Sequence, residues 1–217
     1  METDIFVNRE CVYGGTFDPF HNGHEAVCLH VLKHTALQEI PLRVIPCATP
    51  ALKRPAQASD DERLAMLKLW RKSQENASRI VIDAIELEMG QVSYTADTLS
   101  KLAQRDASLT TRVWVLGVDA FNSIAQWHKS DELIRCLNFW VISRLGEESI
   151  SNSLNLKEAT DLDALWQKGP GYFWYDDRLA YREASSEIRK SINQKPWPVP
   201  QPIADYIERH ELYQASA

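Results

Sequence analysis

The sequence lacks an excess of basic residues. It has 24 Lys and Arg against 30 Asp and Glu among its 217 residues, which gives a formal net charge of −6. Nucleic acids and acidic membrane surfaces are bound through a basic field, so we expect neither as a partner. No apolar run approaches the ~18 residues of a membrane span. The opening METDIFVNRE has acids where a signal peptide has basic residues, so a cytoplasmic protein is expected.

Metal-ligand spacings are also missing. The chain has no Cys-x-x-Cys pair and no HExxH pattern, so zinc sites of those kinds are not predicted. Its cysteines stand singly among apolar neighbours, which is typical of buried thiols in a reducing compartment. They are Cys11, Cys28, Cys47 and Cys136. The sequence does not specify the oligomeric state and is compatible with a homo-oligomer.

One segment combines a glycine turn with two histidines. It runs from Tyr13 to His24 as YGGTFDPFHNGH, and Gly14 and Gly15 leave the backbone N–H groups accessible to an anion. Apolar residues at helical spacing follow, so a helix is predicted to begin between His21 and His24. Its first turn would offer free N–H groups and the positive end of the helix dipole, which bind phosphates. At positions i and i+3 the two imidazoles would point at the same anion.

Other interpretations of this segment remain open at this point. A Gly-Gly pair followed by polar residues is common in simple tight turns, and a His-x-x-His pair also occurs on solvated surfaces or as half of a zinc site. His30 and His34 are a second histidine pair on the same predicted helix. Without a third ligand nearby, they are interpreted as surface or packing residues.

Short apolar runs alternate with helical stretches along the chain. This alternation predicts an α/β fold with a doubly wound, Rossmann-like, mostly parallel sheet and helices on both faces. A single domain over residues 1–217 is expected from the length. Residues 147–167 are rich in acids, Ser and Asn and are expected to form an acidic surface insertion or a loosely helical connection. Residues 185–212 are expected to form a helical C-terminal part.

Polar motifs follow the predicted strands. The glycine and histidine segment follows the first strand, residues 48–54 follow the second, and Gly117 and Asp119 follow the strand at 112–116. Ligands bind at the carboxyl ends of parallel strands, so these motifs are expected to share one crevice. Gly117 permits close approach of a ligand, and Asp119 taken alone is either a helix cap or a ligand-binding residue.

Five ordered motifs resemble those of bacterial nicotinate-nucleotide adenylyltransferases. This family belongs to the nucleotidylyltransferase superfamily, whose mark is a (Thr or His)-x-Gly-His element after the first strand. The motifs are GGTFDPFHNGH from Gly14, SYTADTL from Ser93, LGVDAF from Leu116, Trp127-His128, and SSEIR from Ser185. The resemblance extends over residues 12–212.

The resemblance implies transfer of the adenylyl group of ATP to nicotinate mononucleotide, which gives deamido-NAD and pyrophosphate in NAD biosynthesis. The implied catalytic residues are His21, His24 and Arg189: the histidines donate hydrogen bonds to the α-phosphoryl group, and Arg189 neutralises the outer phosphates. The implied ATP-binding residues are Gly14, Gly15, Thr16, Phe17, His21, Gly23, His24, Gly117, Asp119, Ser185, Ser186 and Arg189. The implied substrate-binding residues are Lys53, Tyr94, Thr95, Trp127 and His128.

The implied reaction uses Mg²⁺ with ATP. Phosphate oxygens hold most of its coordination shell, so no set of protein metal ligands is predicted. Pro50-Ala51-Leu52-Lys53 stands where the family often has Pro-x-His-Lys. Nicotinamide mononucleotide therefore remains an alternative acceptor. Phosphopantetheine, the acceptor of another transferase of the superfamily, is a further alternative, which the chain length and the Trp127-His128 segment disfavour. A catalytically silent nucleotide-binding or sensor protein is an alternative of another class, although the chain retains His21, His24 and Arg189.

Overall fold

Strands and helices alternate along the chain, as the sequence predicts. The computed structural model describes residues 8–50, 55–90, 92–107, 109–143, 149–179 and 184–214. The strands are β1 (Asn8–Gly15), β2 (Leu42–Pro46), β3 (Thr49–Pro50), β4 (Ile80–Ile82), β5 (Val92–Ser93), β6 (Leu109–Gly117), β7 (Asn138–Ile142), β8 (Lys157–Glu158) and β9 (Tyr172–Asp176). The helices are α1 (Asn22–His34), α2 (Asp60–Lys72), α3 (Thr95–Arg105), α4 (Val118–Asn122), α5 (Ser130–Leu133), α6 (Leu162–Gln167), α7 (Ser185–Lys190) and α8 (Gln201–Arg209).

Seven of these strands form one parallel sheet in the order β4-β2-β1-β6-β7-β9-β8. The chain begins at the centre with β1, adds β2 and β4 on one side, and then places β6 on the other side of β1. The register pairs Tyr13 with Val115, so the carboxyl ends of β1 and β6 lie side by side where the strand order reverses. Ligands bind at such switch points. The predicted doubly wound sheet is confirmed.

The sheet separates two apolar cores. Successive residues of a strand point to opposite faces: Val113 and Val115 of β6 belong to one core, and Trp114 and Leu116 belong to the other. Apolar side chains of α1, α2 and α8 complete the first core. Those of α3 and α4 complete the second. The prediction of helices on both faces is therefore correct.

Residues 147–167 do not form a surface insertion, so that expectation is wrong for the part of the segment that the structure describes. The segment contains β8, which extends the sheet beyond β9, and α6. Leu162, Leu165 and Trp166 of α6 are buried in the first core. Their spacing of three and four residues is that of an apolar helix face. The polar composition of the segment concealed this short pattern.

Two further findings concern the cysteines and the possibility of a membrane-spanning helix. Cys11 and Cys28 are buried as predicted, but Cys136 is exposed, so the expectation of buried thiols is only partly correct. Within the described ranges, none of the helices has both the length and the apolar character needed to cross a bilayer.

A buried ion network joins the amino-terminal parts of three neighbouring strands. The carboxylate of Glu10 in β1 is 1 % exposed. It accepts hydrogen bonds from Arg43 of β2 at 2.8 Å and from Arg112 of β6 at 2.6 Å. Arg43 and Arg105 in turn donate to Asp83. Each buried charge therefore has an oppositely charged partner, which offsets the free energy of removing it from water.

The carboxylate of Asp176, at the end of β9, connects α1 with the sheet. It accepts hydrogen bonds from His30 of α1 at 2.8 Å, Trp140 of β7 at 3.1 Å and Arg178 at 2.7 Å. Burial alone would raise the pKa of Asp176, but the hydrogen bonds from Arg178 and His30 outweigh burial and hold this pKa well below its usual range. His30 is thus the partner of a buried carboxylate that lies 146 positions away.

We expect Asp176→Asn to lower the free energy of unfolding by about 2 kcal/mol at pH 7. The variant lacks the negative charge that accepts the hydrogen bonds from His30, Trp140 and Arg178. Since the pKa of Asp176 is lower in the folded protein than in the unfolded chain, the folded state binds fewer protons. The ionised carboxylate of Asp176 therefore makes its full contribution to the free energy of unfolding above the pKa of about 4 in the unfolded chain. This contribution decreases as the pH falls below that value.

Urea unfolding at pH 7 and at pH 3 measures this difference. The gap between Asp176→Asn and the wild type should shrink at pH 3. Asp177→Asn, at the adjacent exposed position, is the control and should change the free energy of unfolding by no more than about 0.5 kcal/mol. A gap for Asp176→Asn that is the same at both pH values would contradict the assignment.

Candidate active site

Gly14 and Gly15 are the last residues of β1 and pair with β2, so the prediction of a glycine turn is wrong; Gly15 lies next to a buried aromatic ring. A Cβ at Gly15 would lie 2.7 Å from the ring of Phe17, so a side chain cannot be accommodated there without movement of that ring. Phe17 has a positive φ of 50° and is 1 % exposed. Its side chain is therefore a core residue, and only its backbone can meet a ligand. Gly15 is required for this packing, in addition to the ligand approach that the sequence predicts.

His21 and His24 form a reciprocal cap at the start of α1. The Nδ1 atom of His21 accepts a hydrogen bond from the His24 backbone N–H, and the Nδ1 atom of His24 accepts one from the His21 backbone N–H, both at 3.3 Å. The two rings stack with centroids 3.7 Å apart. Because each Nδ1 atom is an acceptor, the proton of each neutral ring is on Nε2. The cap therefore gives both rings the same tautomer.

More N–H groups of the first turn of α1 are hydrogen-bonded within the protein than the sequence predicts. The Asn22 N–H donates to the carbonyl of Pro198 at 2.9 Å, and the His24 N–H is occupied by His21. Gly23 is buried within the same turn. The expectation of free N–H groups is thus wrong for Asn22 and His24. The imidazoles and the dipole of α1 remain as the groups that favour an anion here.

Three donors hold the carbonyl groups of the loop between β1 and α1. Arg63 of α2 donates to the carbonyl of Thr16 at 2.7 Å, and Ser185 donates to that of Pro19 at 3.1 Å. Arg189 donates to the carbonyl of Asp18. The loop is therefore held by side chains of α2 and α7, two helices that lie far apart in the sequence.

Asp18 adds a further connection. Its buried carboxylate accepts hydrogen bonds from the backbone N–H groups of Gln57 at 2.8 Å and Ala58 at 3.0 Å, just before α2. One Asp18 oxygen also lies 3.5 Å from Arg189. Arg189, predicted to neutralise the outer phosphates, is thus docked against the loop with its side chain 26 % exposed. Ser185 likewise uses its hydroxyl within the protein, whereas Ser186 is exposed.

Sequence reasoning missed Arg63 and Asp18. Arg63 is fully buried and occupies the position before Met66, Leu67 and Trp70 on the apolar face of α2. A charged residue on such a face is a signal that could have identified it. Asp18 gave no comparable signal, because its partners are backbone groups 39 and 40 positions away.

The end of β6 lies next to the end of β1. Gly117 is the N-cap of α4, and a Cβ there would have the Ile142 carbonyl oxygen at 3.9 Å, which is ordinary contact. Packing alone does not demand glycine at this position. Asp119 is exposed in the first turn of α4. Gly117 ends β6 and Asp119 follows it, so both residues lie where the carboxyl end of β6 adjoins that of β1.

A second group of predicted residues assembles around the start of α3. The rings of Tyr94 and His128 lie with centroids 4.6 Å apart. Trp127 packs partly buried against the second core, and its indole N–H donates to Ser123 at 3.4 Å. Thr95 is the first residue of α3, whose N-cap is Tyr94.

Pairing of β3 with β5 brings the region after β2 to this group. Pro50 is aligned with Ser93, next to Tyr94. Lys53, the remaining predicted substrate-binding residue, lies outside the described residues. The structure thus places two groups of predicted residues at the carboxyl ends of the strands, one around the β1 loop and one around Tyr94.

Comparisons with known proteins agree with this architecture. A family model described as cytidylyltransferase-like matches residues 12–198. A probable nicotinate-nucleotide adenylyltransferase of Hahella chejuensis is 31 % identical over 93 % of this chain and 94 % of its own length. A protein of the same name from Legionella pneumophila strain Paris is 32 % identical over 94 % of this chain and 98 % of its own length.

Solved structures show the same fold. The nicotinic acid mononucleotide adenylyltransferase of Plasmodium falciparum, solved as a complex with NaAD, aligns with a TM-score of 0.70 at 22 % identity over 95 % of this chain and 97 % of its own. The same enzyme complexed with APC aligns with a TM-score of 0.68. From the family model and the full-length relatives together, the chain belongs to the cytidylyltransferase-like family and, within it, to the nicotinate-nucleotide adenylyltransferases.

Proposed function

We propose that this protein transfers the adenylyl group of ATP to nicotinate mononucleotide, releasing pyrophosphate and forming deamido-NAD. The observation that carries this proposal is the capped histidine pair at the switch point of the sheet, in a chain whose full-length relatives bear the name of this enzyme. The phosphate monoester of the acceptor is the nucleophile, and pyrophosphate is the leaving group. The protein therefore needs to align two anions and neutralise their charge.

His21 and His24 act on the α-phosphate of ATP in this proposal. With Nδ1 of each ring bonded to backbone, each Nε2–H is a donor of fixed tautomer. Donors fixed before the reaction stabilise the charge that develops on the phosphoryl oxygens without having to reorganise. The positive end of the α1 dipole acts in the same direction.

The outer phosphates and the ribose of ATP lie, in this proposal, along the carboxyl ends of β1 and β6. Arg189 is partly exposed beside the β1 loop, and a guanidinium has more N–H donors than its contacts with Asp18 use. Ser186 is exposed at the start of the same helix as Arg189. Gly117 leaves space at the N-cap of α4, and Asp119 accepts from a ribose hydroxyl.

The acceptor is assigned to the group around Tyr94. The ring faces of Trp127 and His128 suit a flat pyridine ring, and the backbone at Thr95, the first residue of α3, can meet its carboxylate through N–H groups. Lys53 is proposed to contact the acceptor phosphate. The β3 and β5 pair supports this assignment, because it brings the chain just before Lys53 next to Ser93.

Mg²⁺ is proposed to enter with ATP. Among the residues that the structure describes, no three His, Cys, Asp or Glu side chains lie close enough together to hold a metal ion. Magnesium usually keeps several waters and binds through substrate phosphates. It supplies further neutralisation of the triphosphate charge.

A panel of acceptors tests the proposed function. We expect ATP and Mg²⁺ with nicotinate mononucleotide to give deamido-NAD and pyrophosphate, with kcat/KM higher than for nicotinamide mononucleotide and no product from phosphopantetheine. Chromatography of the dinucleotides and a coupled pyrophosphate assay measure the products. Turnover of neither pyridine nucleotide would refute the proposal and favour a silent nucleotide-binding protein.

Two variants of His24 separate its structural and chemical roles. Asn places its amide oxygen near the position of Nδ1, so His24→Asn keeps an acceptor for the His21 N–H and loses the Nε2 donor. We expect kcat to fall by about two orders of magnitude, as for removal of other fixed transition-state donors. Gln places its amide nitrogen near Nε2, so His24→Gln should retain more activity than His24→Asn.

The matched control for these variants is His34→Asn, on the same helix and away from its first turn. It should leave kcat within about twofold of the wild type, as expected for a side chain outside the chemistry. Thermal unfolding verifies that each variant is folded. A wild-type kcat in folded His24→Asn would contradict the role given to Nε2.

The acceptor assignment predicts a separable effect at Trp127. Trp127→Leu keeps apolar volume against the core but removes the indole face, so KM for nicotinate mononucleotide should rise by about fivefold to tenfold, the scale of one aromatic stacking contact. KM for ATP should change by less than about twofold, because Trp127 is assigned to the acceptor and the residues assigned to ATP are unchanged. Steady-state kinetics with each substrate varied in turn measure both values. An equal rise in the two KM values would argue against the assignment.

A further inference from the structure

Arg63 is a buried cation whose main partners are backbone carbonyls. Its side chain is 0 % exposed, on the face of α2 that carries Met66, Leu67 and Trp70. Its carboxylate partner among the described residues is Asp60, which is 51 % exposed. Its Nε atom has no hydrogen-bond partner in the part of the chain that the structure describes. An apolar side chain at this position would leave the carbonyls of Thr16 and Ala48 without this donor, so Arg63 is tied to the two loops that carry them.

The hydrogen bonds of Arg63 join two loops at the carboxyl edge of the sheet. One guanidinium nitrogen donates to the carbonyl of Thr16 at 2.7 Å, in the loop after β1. Another donates to the carbonyl of Ala48 at 3.4 Å, between β2 and β3. The first loop leads to His21 and His24, and the second leads towards Lys53. In the proposed function the two loops therefore serve different substrates.

The bond to Thr16 also determines the direction of the next N–H group. In a trans peptide the C=O and the following N–H point in opposite directions. The cis peptides in the described residues are at Asp18-Pro19 and Lys195-Pro196, so the Thr16–Phe17 peptide is trans. With the Thr16 carbonyl directed at Arg63, the N–H of Phe17 is directed away from the buried guanidinium. Phe17 itself is held in place by its buried ring and its positive φ.

We propose that Arg63 is a positioning residue for adenylyl transfer. Its planar guanidinium sets the relative position of the loop that carries the histidine pair and the loop that leads to the acceptor side, and it orients the Phe17 N–H. This inference rests on the proposed function. A lysine cannot replace Arg63, because a single ammonium lacks the fixed fork that spans two carbonyls.

The test compares Arg63→Met and Arg63→Lys with the wild type in steady-state kinetics and thermal unfolding. Met removes the buried charge but leaves the carbonyls of Thr16 and Ala48 without this donor, so the melting temperature of Arg63→Met should fall, and its kcat is measured below that temperature. This kcat should fall by about tenfold to a hundredfold, the scale of a small misplacement of reacting groups. Both KM values should change by less than about threefold, because the contact residues remain.

Arg79→Lys is the matched control. Arg79 also donates to main-chain carbonyls, those of Leu32, Thr35 and Ile40, but at the far end of α1 from the histidine pair. Arg79→Lys should lower the melting temperature and leave kcat of the folded protein within about twofold of the wild type. Arg63→Lys should lower kcat at least fivefold more than Arg79→Lys does when both are assayed below their melting temperatures.

Two results would overturn the positioning role. One is a wild-type kcat in folded Arg63→Met or Arg63→Lys; the other is a kcat loss in Arg79→Lys as large as that in Arg63→Lys. The wild type assayed in parallel separates this inference from the proposed function. If the wild type makes no dinucleotide, the proposed function fails and the role of Arg63 in it fails as well. If the wild type is active and the Arg63 variants match it, only the role of Arg63 fails.

Discussion

The reciprocal hydrogen bonds between His21 and His24 are the interaction on which the proposed site depends. They begin α1, place the proton of each neutral ring on Nε2, and stack the rings 3.7 Å apart. The same chain starts α2 with an ordinary capping box, Ser59 with Glu62. A box of that kind would satisfy the backbone of α1 equally well. It would offer no imidazole donor, and in the proposed function that donor is what the histidines add to helix formation.

Backbone groups next to this histidine pair form hydrogen bonds that hold the loop between β1 and α1. Pro198 accepts from the first N–H of α1, while Arg63, Arg189 and Ser185 donate to the carbonyls between β1 and α1. These partners come from α2 and from the C-terminal part of the chain. Three remote segments therefore hold this loop and the start of α1 through hydrogen bonds. Fixed donors are the form of electrostatic stabilisation that enzymes use most effectively.

Arginine has several distinct uses in this fold. Arg43 and Arg112 neutralise the buried Glu10 within the sheet, and Arg79 holds the carbonyls at the end of α1. Arg63 and Arg189 hold carbonyls of the β1 loop, where the geometry of the bound substrates is decided in the proposed function. The planar fork of the guanidinium suits all of these sites. Only its location in the fold distinguishes a structural arginine from one that supports the chemistry.

The sequence by itself determined the local structure and the residue types of the site. Apolar spacing predicted the strand and helix alternation and hence the doubly wound sheet, and the motif from Gly14 to His24 predicted the histidine pair, because these features depend on neighbours within a few positions. It did not reveal the burial of α6, the burial of Arg63, or the bond between His30 and Asp176, which are 146 positions apart. Those features depend on which segments the folded sheet brings together, and only tertiary packing decides that.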